Sequence, residues 1–522
     1  MLVSNATSSP PRPGPLPCSA SSVEPLAGRE RVFVKAAPVL SLTAFLAVLA
    51  PLPARAQVPG ATSVTQSSSP APLQPTASAG PTSPFLGGVP AGVATKEPLK
   101  LTIIDAILRA LDHNLGVLTA EDALGRAQGA RKIALSQLLP NVSGRVSETR
   151  QVINLQAFGF GSPGGPSFPG LPVIVGPFNV FDARAFVTQT VFDLEAQNNA
   201  RSEAHALDSA RLSRQSARDF VIHVAGTVYI DALAASARVD AARAQLETAE
   251  ALYQQALSLR QGGIIAGVDV LRAQVQLSVQ QQRSTASVND FEKVKLSLAR
   301  VVGLPLGQAF VIDPNLPDVP VPTASVDDLI DLAVKTRPDY QAALARVHAA
   351  ESTRAAIAGS AMPSVHVSGD VGPIGLSVSD AKNTYSVAAS LNVPIFNGNR
   401  THGRLLQADA DLRTRQNEAA DMKAGIDYEI RAAFLDLQAT SEQLRVATTA
   451  RDLAAQQLTQ ARDRFAAGVV SNVEVIQAQE AVALATEQFI SSQYGYDLAK
   501  GALVRGTGTS EQVLRQIIGG SR

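Results

Sequence analysis

The chain has 522 residues, 45% hydrophobic and 17% charged, with 45 basic against 45 acidic side chains. That balance argues against a nucleic-acid surface, which needs an excess of Lys and Arg. One Cys, three Met, no Trp and six scattered His leave little for a redox or metal centre, so no cofactor is expected.

Residues 1–35 are rich in Pro and Ser, and Ala36–Leu52 is almost wholly apolar. Arg29, Arg31 and Lys35 precede that run and Ala54-Arg55-Ala56 follows it, the order of a secretory signal over 1–56. A membrane anchor is the competing reading, but Pro38 and Pro51 interrupt the run. The leader before it is too long for a signal, which points to an internal start near Val32. Cys18 precedes the apolar run, so the mature chain is expected to lack thiols and an N-terminal lipid, as suits an oxidising compartment. Residues 57–98 turn to Pro, Ser, Thr, Ala and Gly without periodicity, the composition of a disordered tether.

From residue 99 the chain is duplicated: repeat 1 over 99–302, a linker over 303–324, repeat 2 over 325–508 and a tail over 509–522. Asp105, Arg131 and Pro140 answer Asp328, Arg354 and Pro363 with a constant shift of 223. Short helices are expected near 101–139 and 325–362, broken at Asn114 and near Pro338, where proline fits a first turn. A β-hairpin follows in each copy, at about 141–192 and 364–396. In it Phe181, Ala183, Ala185 and Val187 alternate with Asp182, Arg184 and Thr188, and Tyr385, Val387, Ala389 and Leu391 alternate with Ser386, Ala388 and Ser390. Loops are expected at 154–180 and near Gly372–Asn383. Period-two runs of this length suit strands crossing a bilayer around a wet lumen, with His366 and Asp370 on the polar face; soluble hairpins on a core are the plainer alternative.

Long helices come next. Ala242, Leu246, Ala249, Tyr253 and Ala256, and Ala447, Ala450, Ala454, Leu458, Ala461 and Phe465, step by three and four like the seam of a coiled coil. About 70 residues at 1.5 Å each make a rod of roughly 100 Å. Glycine turns then lead into return helices at about 267–302 and 472–506. From Phe192 to Gly263 is 71 residues and from Phe396 to Gly468 is 72, whereas from Pro140 to Phe192 is 52 and from Pro363 to Phe396 only 33. Elements that must end at a common plane keep their length, and loops do not. Four strands cannot close around a lumen and open edges are not tolerated in lipid, so a symmetric oligomer is required. His205 and His223 lie about 27 Å apart along one helix, too far to chelate.

The most specific piece is the turn Arg464-Phe465-Ala466-Ala467-Gly468-Val469-Val470-Ser471-Asn472-Val473-Glu474, whose partner runs from Arg260 through Gly262-Gly263 to Asp269-Val270-Leu271. With the duplicated order of helices, hairpin, rod and return helix, it resembles the TolC-type outer-membrane efflux family over about 99–510. The resemblance implies a fold that is mainly α with transmembrane β. It is a duplicated long α-helical coiled-coil barrel with four strands per protomer, closing as a homotrimer around a twelve-stranded barrel in outer-membrane lipid. It also implies a belt formed by residues near 303–335 and the C-terminus. The turns 260–270 and 464–475 become periplasmic tips that meet an adaptor (membrane fusion protein), and Arg260, Gly263, Asp269, Arg464, Phe465, Gly468, Ser471 and Glu474 become the adaptor-binding and gate residues.

Two roles stay open for Asp269 and Glu474. Ser471-x-x-Glu474 reads as a capping box and Asp269 sits in a first turn, where the helix dipole favours carboxylate. Three copies of each facing a lumen would also make a cation-selective ring. Arg272 and Gln477 stand where relatives often carry a second acid, and Val470 where some carry a basic gate residue, which weakens both the ring and the closed-state lock. No nucleophile–base pair or phosphate loop is present, so no catalysis is expected. The implied function is the exit duct of a tripartite efflux or type I secretion system, energised by an inner-membrane pump of RND, ABC or MFS type. A periplasmic coiled-coil adaptor or scaffold without a pore is the alternative.

Overall fold

The computed structural model describes residues 83–160, 170, 172–305, 307–317, 324–467 and 469–520, with the side chains of 519 and 520 excepted. The expected signal at 1–56 and most of the tether lie outside the described residues, as do Gly468 and part of the linker. All described residues belong to the compact unit Ser78–Arg522.

In chain order the elements are β1 (Leu99–Leu101), α1 (Ile103–His113), α2 (Leu115–Ser136), β2 (Asn141–Asn154), β3 (Ile174–Phe192), α3 (Leu194–Gln261), α4 (Gly267–Val302) and β4 (Phe310–Ile312). Repeat 2 follows with α5 (Val326–Thr336), α6 (Pro338–Gly359), β5 (Ser364–Gly375), β6 (Lys382–Asn392), α7 (Arg400–Ala466) and α8 (Asn472–Gly506), and α9 (Ser510–Gly520) ends the chain. The rods α3 and α7 have 68 and 67 residues, about 100 Å each at helical rise.

The seam expected on the rods is largely buried: Ala242, Ala249, Ala256, Ala447, Ala454 and Ala461 lie inside, where a methyl-sized side chain lets helices approach closely. Ala450 is the exception and is exposed. The seam position beside it belongs to Arg451, whose guanidinium sits 4.1 Å over the Phe489 ring.

The four long strands form one antiparallel sheet in the order β2-β3-β5-β6, so β3 and β5 join the two hairpins and β2 and β6 are the edges. Strand β3 begins at Ile174, seven residues earlier than the alternating run starting at Phe181 indicates, and shortens the first loop. Likewise β5 continues to Gly375 and β6 starts at Lys382, leaving 376–381 as the second loop.

Two features of the helix ends were not in the patterns. β1 pairs in parallel with β4 across more than 200 residues, and the buried Tyr229 hydroxyl lies 2.9 and 2.8 Å from the carbonyls of Leu101 and Asp313, locking that pair onto the middle of α3. Residues 83–98, expected to be tether, are instead docked. Phe85 stacks edge-on against Phe220 at 4.7 Å, and a Cβ on Gly116 would meet its ring at 2.2 Å, so only glycine leaves room. The backbone N–H of Val89 donates to the His113 carbonyl and that of Ala91 to the Gly303 carbonyl. Two aromatic rings and a short ladder supply the stabilisation that composition alone hides.

Candidate functional site

At the first tip, α3 ends at Gln261 and Gly263 takes φ 72°, a left-handed conformation that costs glycine nothing. The Ile264 N–H donates to the Leu259 carbonyl at 2.9 Å, and at the second tip the Val469 N–H donates to the Arg464 carbonyl at 2.9 Å. Both turns are thus closed by the same bond five residues back.

The acidic residues of the tips are not free. Asp269 lies 3.1 Å from Arg272 one turn on, and Glu474 lies 2.7 Å from Arg464 on the other side of the second turn. The expected capping box does not form. Ser471 is the N-cap of α8 but its hydroxyl accepts no cap hydrogen bond, and the Glu474 carboxylate accepts from the Arg464 guanidinium instead of the Ser471 N–H. Phe465 is buried against Val475 and Ala478 of α8 and Leu252 of α3, so it holds the tip together rather than offering itself to a partner. Arg260 packs its guanidinium beside Gly267.

The structure adds residues that sequence reasoning passed over. Asn472, 2% exposed, donates its side-chain amide to the Asp269 carbonyl at 3.2 Å and ties the two tips together. About two turns further up α8, Glu480 accepts from Gln276 at 2.7 Å and from Arg283 at 3.1 Å, both on α4. Burial alone would raise the Glu480 carboxyl, but the hydrogen bonds from Gln276 and Arg283 outweigh it and hold it below the usual range. Below the clasp, Ile264, Val268, Leu271 and Val275 leave an apolar stripe exposed on α4 and its turn.

At the other end, the sheet has two unlike faces. On one, Val146 stands opposite Ala183 and Val371 opposite Tyr385; Val146, Tyr385 and Val387 are 74%, 81% and 76% exposed. On the other, Arg184 reaches Asp182 at 2.7 Å and Asp370 at 3.0 Å, and the Ser386 hydroxyl donates to Asp370. Arg145 lies directly across from Arg184, and the Phe186 ring sits 5.3 and 5.5 Å from the two guanidiniums. His366, on this same face, meets Thr190 at 3.4 Å, a part-buried polar contact between strands rather than a ligand site. His205 and His223 do not meet, but His205 faces His348 at 5.7 Å between ring centres. Among the described residues no group of three acids, His or Cys is arranged to hold a metal ion.

Residues 329–509 match the family model described as outer membrane efflux protein. The alkaline protease secretion protein AprF of Pseudomonas aeruginosa is 25% identical over 328 residues, 59% of this chain and 65% of AprF, just short of two thirds of its length. The pyoverdine export outer membrane protein OpmQ of Pseudomonas putida is 23% identical over 338 residues, 63% of this chain and 70% of OpmQ. Among solved structures, the Campylobacter jejuni outer membrane channel CmeC has a TM-score of 0.69 at 16% identity, covering 83% of this chain and 95% of its own. The outer-membrane channel OprN has a TM-score of 0.67 at 19% identity, covering 78% and 89%. These relatives are described as secretion, export and channel proteins, not as enzymes. The TolC-type resemblance carried by the tip turn and the duplicated order of helices, hairpin, rod and return helix is borne out.

Proposed function

We propose that this outer-membrane chain of the TolC-type efflux family, reaching into the periplasm, is the passive exit duct of a tripartite export system. Three copies pool twelve strands into one barrel in lipid, and their rods make the tunnel below it. An inner-membrane pump of RND, ABC or MFS type supplies the energy through a periplasmic adaptor. The observation that carries this is the sheet: one face is apolar and open, the other is charged, and both edges, β2 and β6, lack strand partners among the described residues. A face of that kind is at home in hydrocarbon, and bare edges are tolerable there only if a neighbouring copy covers them. A pore-free scaffold has no use for either.

The tips are the periplasmic gate in this reading. Arg260, Gly263, Asp269, Arg464, Phe465, Ser471 and Glu474 shape the turns, and the exposed stripe from Ile264 to Val275 offers an amphipathic helix of an adaptor an apolar seat. Because each carboxylate shares an arginine, three copies of Asp269 and Glu474 make a collar of mixed charge rather than a ring of acids. Cargo stays at the level of class. AprF is named for protease secretion and OpmQ for pyoverdine export, so both protein and small-molecule export suit the duct. Membrane fractionation tests the reading: recovery in the outer membrane as a heat-modifiable oligomer is expected, and a soluble periplasmic monomer would leave the scaffold.

A further inference from the structure

We infer that the junction between α3 and the C-terminal helix α9 is a proton-controlled latch, in which the buried Asp219 carboxyl holds α9 docked when protonated and loosens it when ionised. Asp219 is 7% exposed, and neither of its oxygens accepts a hydrogen bond, the one carboxylate so placed among the described residues. The backbone N–H of Glu511 in the first turn of α9 favours the ionised carboxyl, but makes no hydrogen bond to it within bonding geometry. An ionised group in that position has lost its water and gained no partner.

Of the charges around it, Arg218 offers partial relief, outweighed by burial and the neighbouring carboxylates. Glu511 brings a second carboxylate to the junction, itself held by Arg218 at 3.5 Å and Arg515 at 3.0 Å. Asp339 of α6 adds a third negative group. Arg337 and Arg505 line the same 260 Å³ cleft as Asp219, but Arg337 is committed to Asp339 and Glu429 at 2.7 Å each and Arg505 to Glu429 at 2.7 Å. Burial first, and the Glu511 charge second, therefore push Asp219 up to about 6, against 3.8 for the ordinary side chain. A carboxyl raised on docking makes the docked state the better proton binder. Its contribution is complete below about pH 4 and is lost as pH rises through about 6. His223, one turn along α3, is pushed down by burial and by Arg505, so protonation there works against the latch as pH falls below the ordinary imidazole value of 6.5.

What the latch covers is apolar. Leu514 of α9 is buried with Ile107, Val221 and Ile222, and α9 also walls a 140 Å³ cavity with Ile103, Ile222 and Ile230. Loosening α9 opens that region of the helices to water, a change independent of whether the chain is a duct.

Hydrogen exchange of the amides of 510–520 in the full-length, detergent-solubilised protein reads the latch directly. After correction for intrinsic exchange, opening of α9 should be roughly 25-fold more frequent at about pH 7.5 than at about pH 4.5. Asp219→Asn should stay protected at both. A wild-type helix indifferent to pH, or an Asp219→Asn protein that keeps the dependence, overturns the proposal. Should Asp219→Asn not fold, Glu511→Gln decides: with the facing charge gone, the midpoint of the transition should move to lower pH, and an unmoved midpoint is equally fatal.

Discussion

At Asn114 and Arg337, 223 positions apart, the two repeats break the same pair of helices and finish the break differently. The backbone plan is identical: α1 and α5 have 11 residues each, and α2 and α6 have 22. In repeat 1 the Asn114 carbonyl caps the Gly116 N–H at 2.8 Å and its amide donates to the Phe85 carbonyl at 2.7 Å, so the break fastens the segment that precedes β1. In repeat 2 a buried arginine fills the place, reaching Asp339 and Glu429 and donating to the Gly506 carbonyl, so the break fastens α7 and the end of α8. Duplication has preserved lengths and angles while the polar filling diverged to serve what each copy must hold.

That contrast can be broken by substitution. Arg337→Ala should be the costliest, about 3–5 kcal/mol, because it strips the part-buried Asp339 of its paired cation and leaves Glu429 to Arg505 alone. Its deficit should also shrink in acid. Burial alone would raise the Asp339 carboxyl, but the Arg337 hydrogen bond holds it below the usual range. Its contribution is therefore present above about pH 4 and lost as pH falls further. Urea midpoints of wild type and variant, measured at neutral and acidic pH, should converge. Asn114→Ala removes one cap and one tie to Phe85 and should cost about 2 kcal/mol, with the 83–92 segment becoming the first site of proteolysis. Equal losses at the two positions would mean the breaks are interchangeable after all.

The tips carry the contrast further. Gly263→Val forces a β-branched residue into the left-handed region at about 1–2 kcal/mol, with open space around the new Cβ. Export should fall while the oligomer persists; loss of the oligomer would show that the turn is not at a free tip. The smallest effect is expected at the surface pairs. Arg272→Gln and Arg464→Gln should each cost less than about 0.5 kcal/mol, yet raise cation preference in planar bilayers by unmasking Asp269 and Glu474. Unchanged selectivity would leave those carboxylates a purely local role.

Much of the fold was legible because it is written at short range. The return helices run over 267–302 and 472–506, the bounds that the glycines and the seam spacing indicate, and Pro338 occupies the first turn of α6. The strands announce themselves by alternation, and Ile174–Val180 escaped notice because Gly176-Pro177 interrupts it. What stayed hidden depends on distant partners. Glu480 meets Gln276 across 204 residues, and Asn472 meets Asp269 across 203. Neither residue has a local spacing that marks it. The capping box failed for the same reason: its motif is local, but the competing Arg464 lies on the previous helix.

The unpartnered margins of β2 and β6 also bear on how the molecule reaches its destination. A single copy cannot slide into hydrocarbon by itself, since every exposed peptide group along those two strands would forfeit its water with nothing in return. If the chain is the duct proposed above, insertion is therefore collective, with the subunits meeting before or while they enter. Until then, a newly delivered chain needs an escort or a quick encounter with its siblings to keep its sheet from sticking to the wrong neighbour.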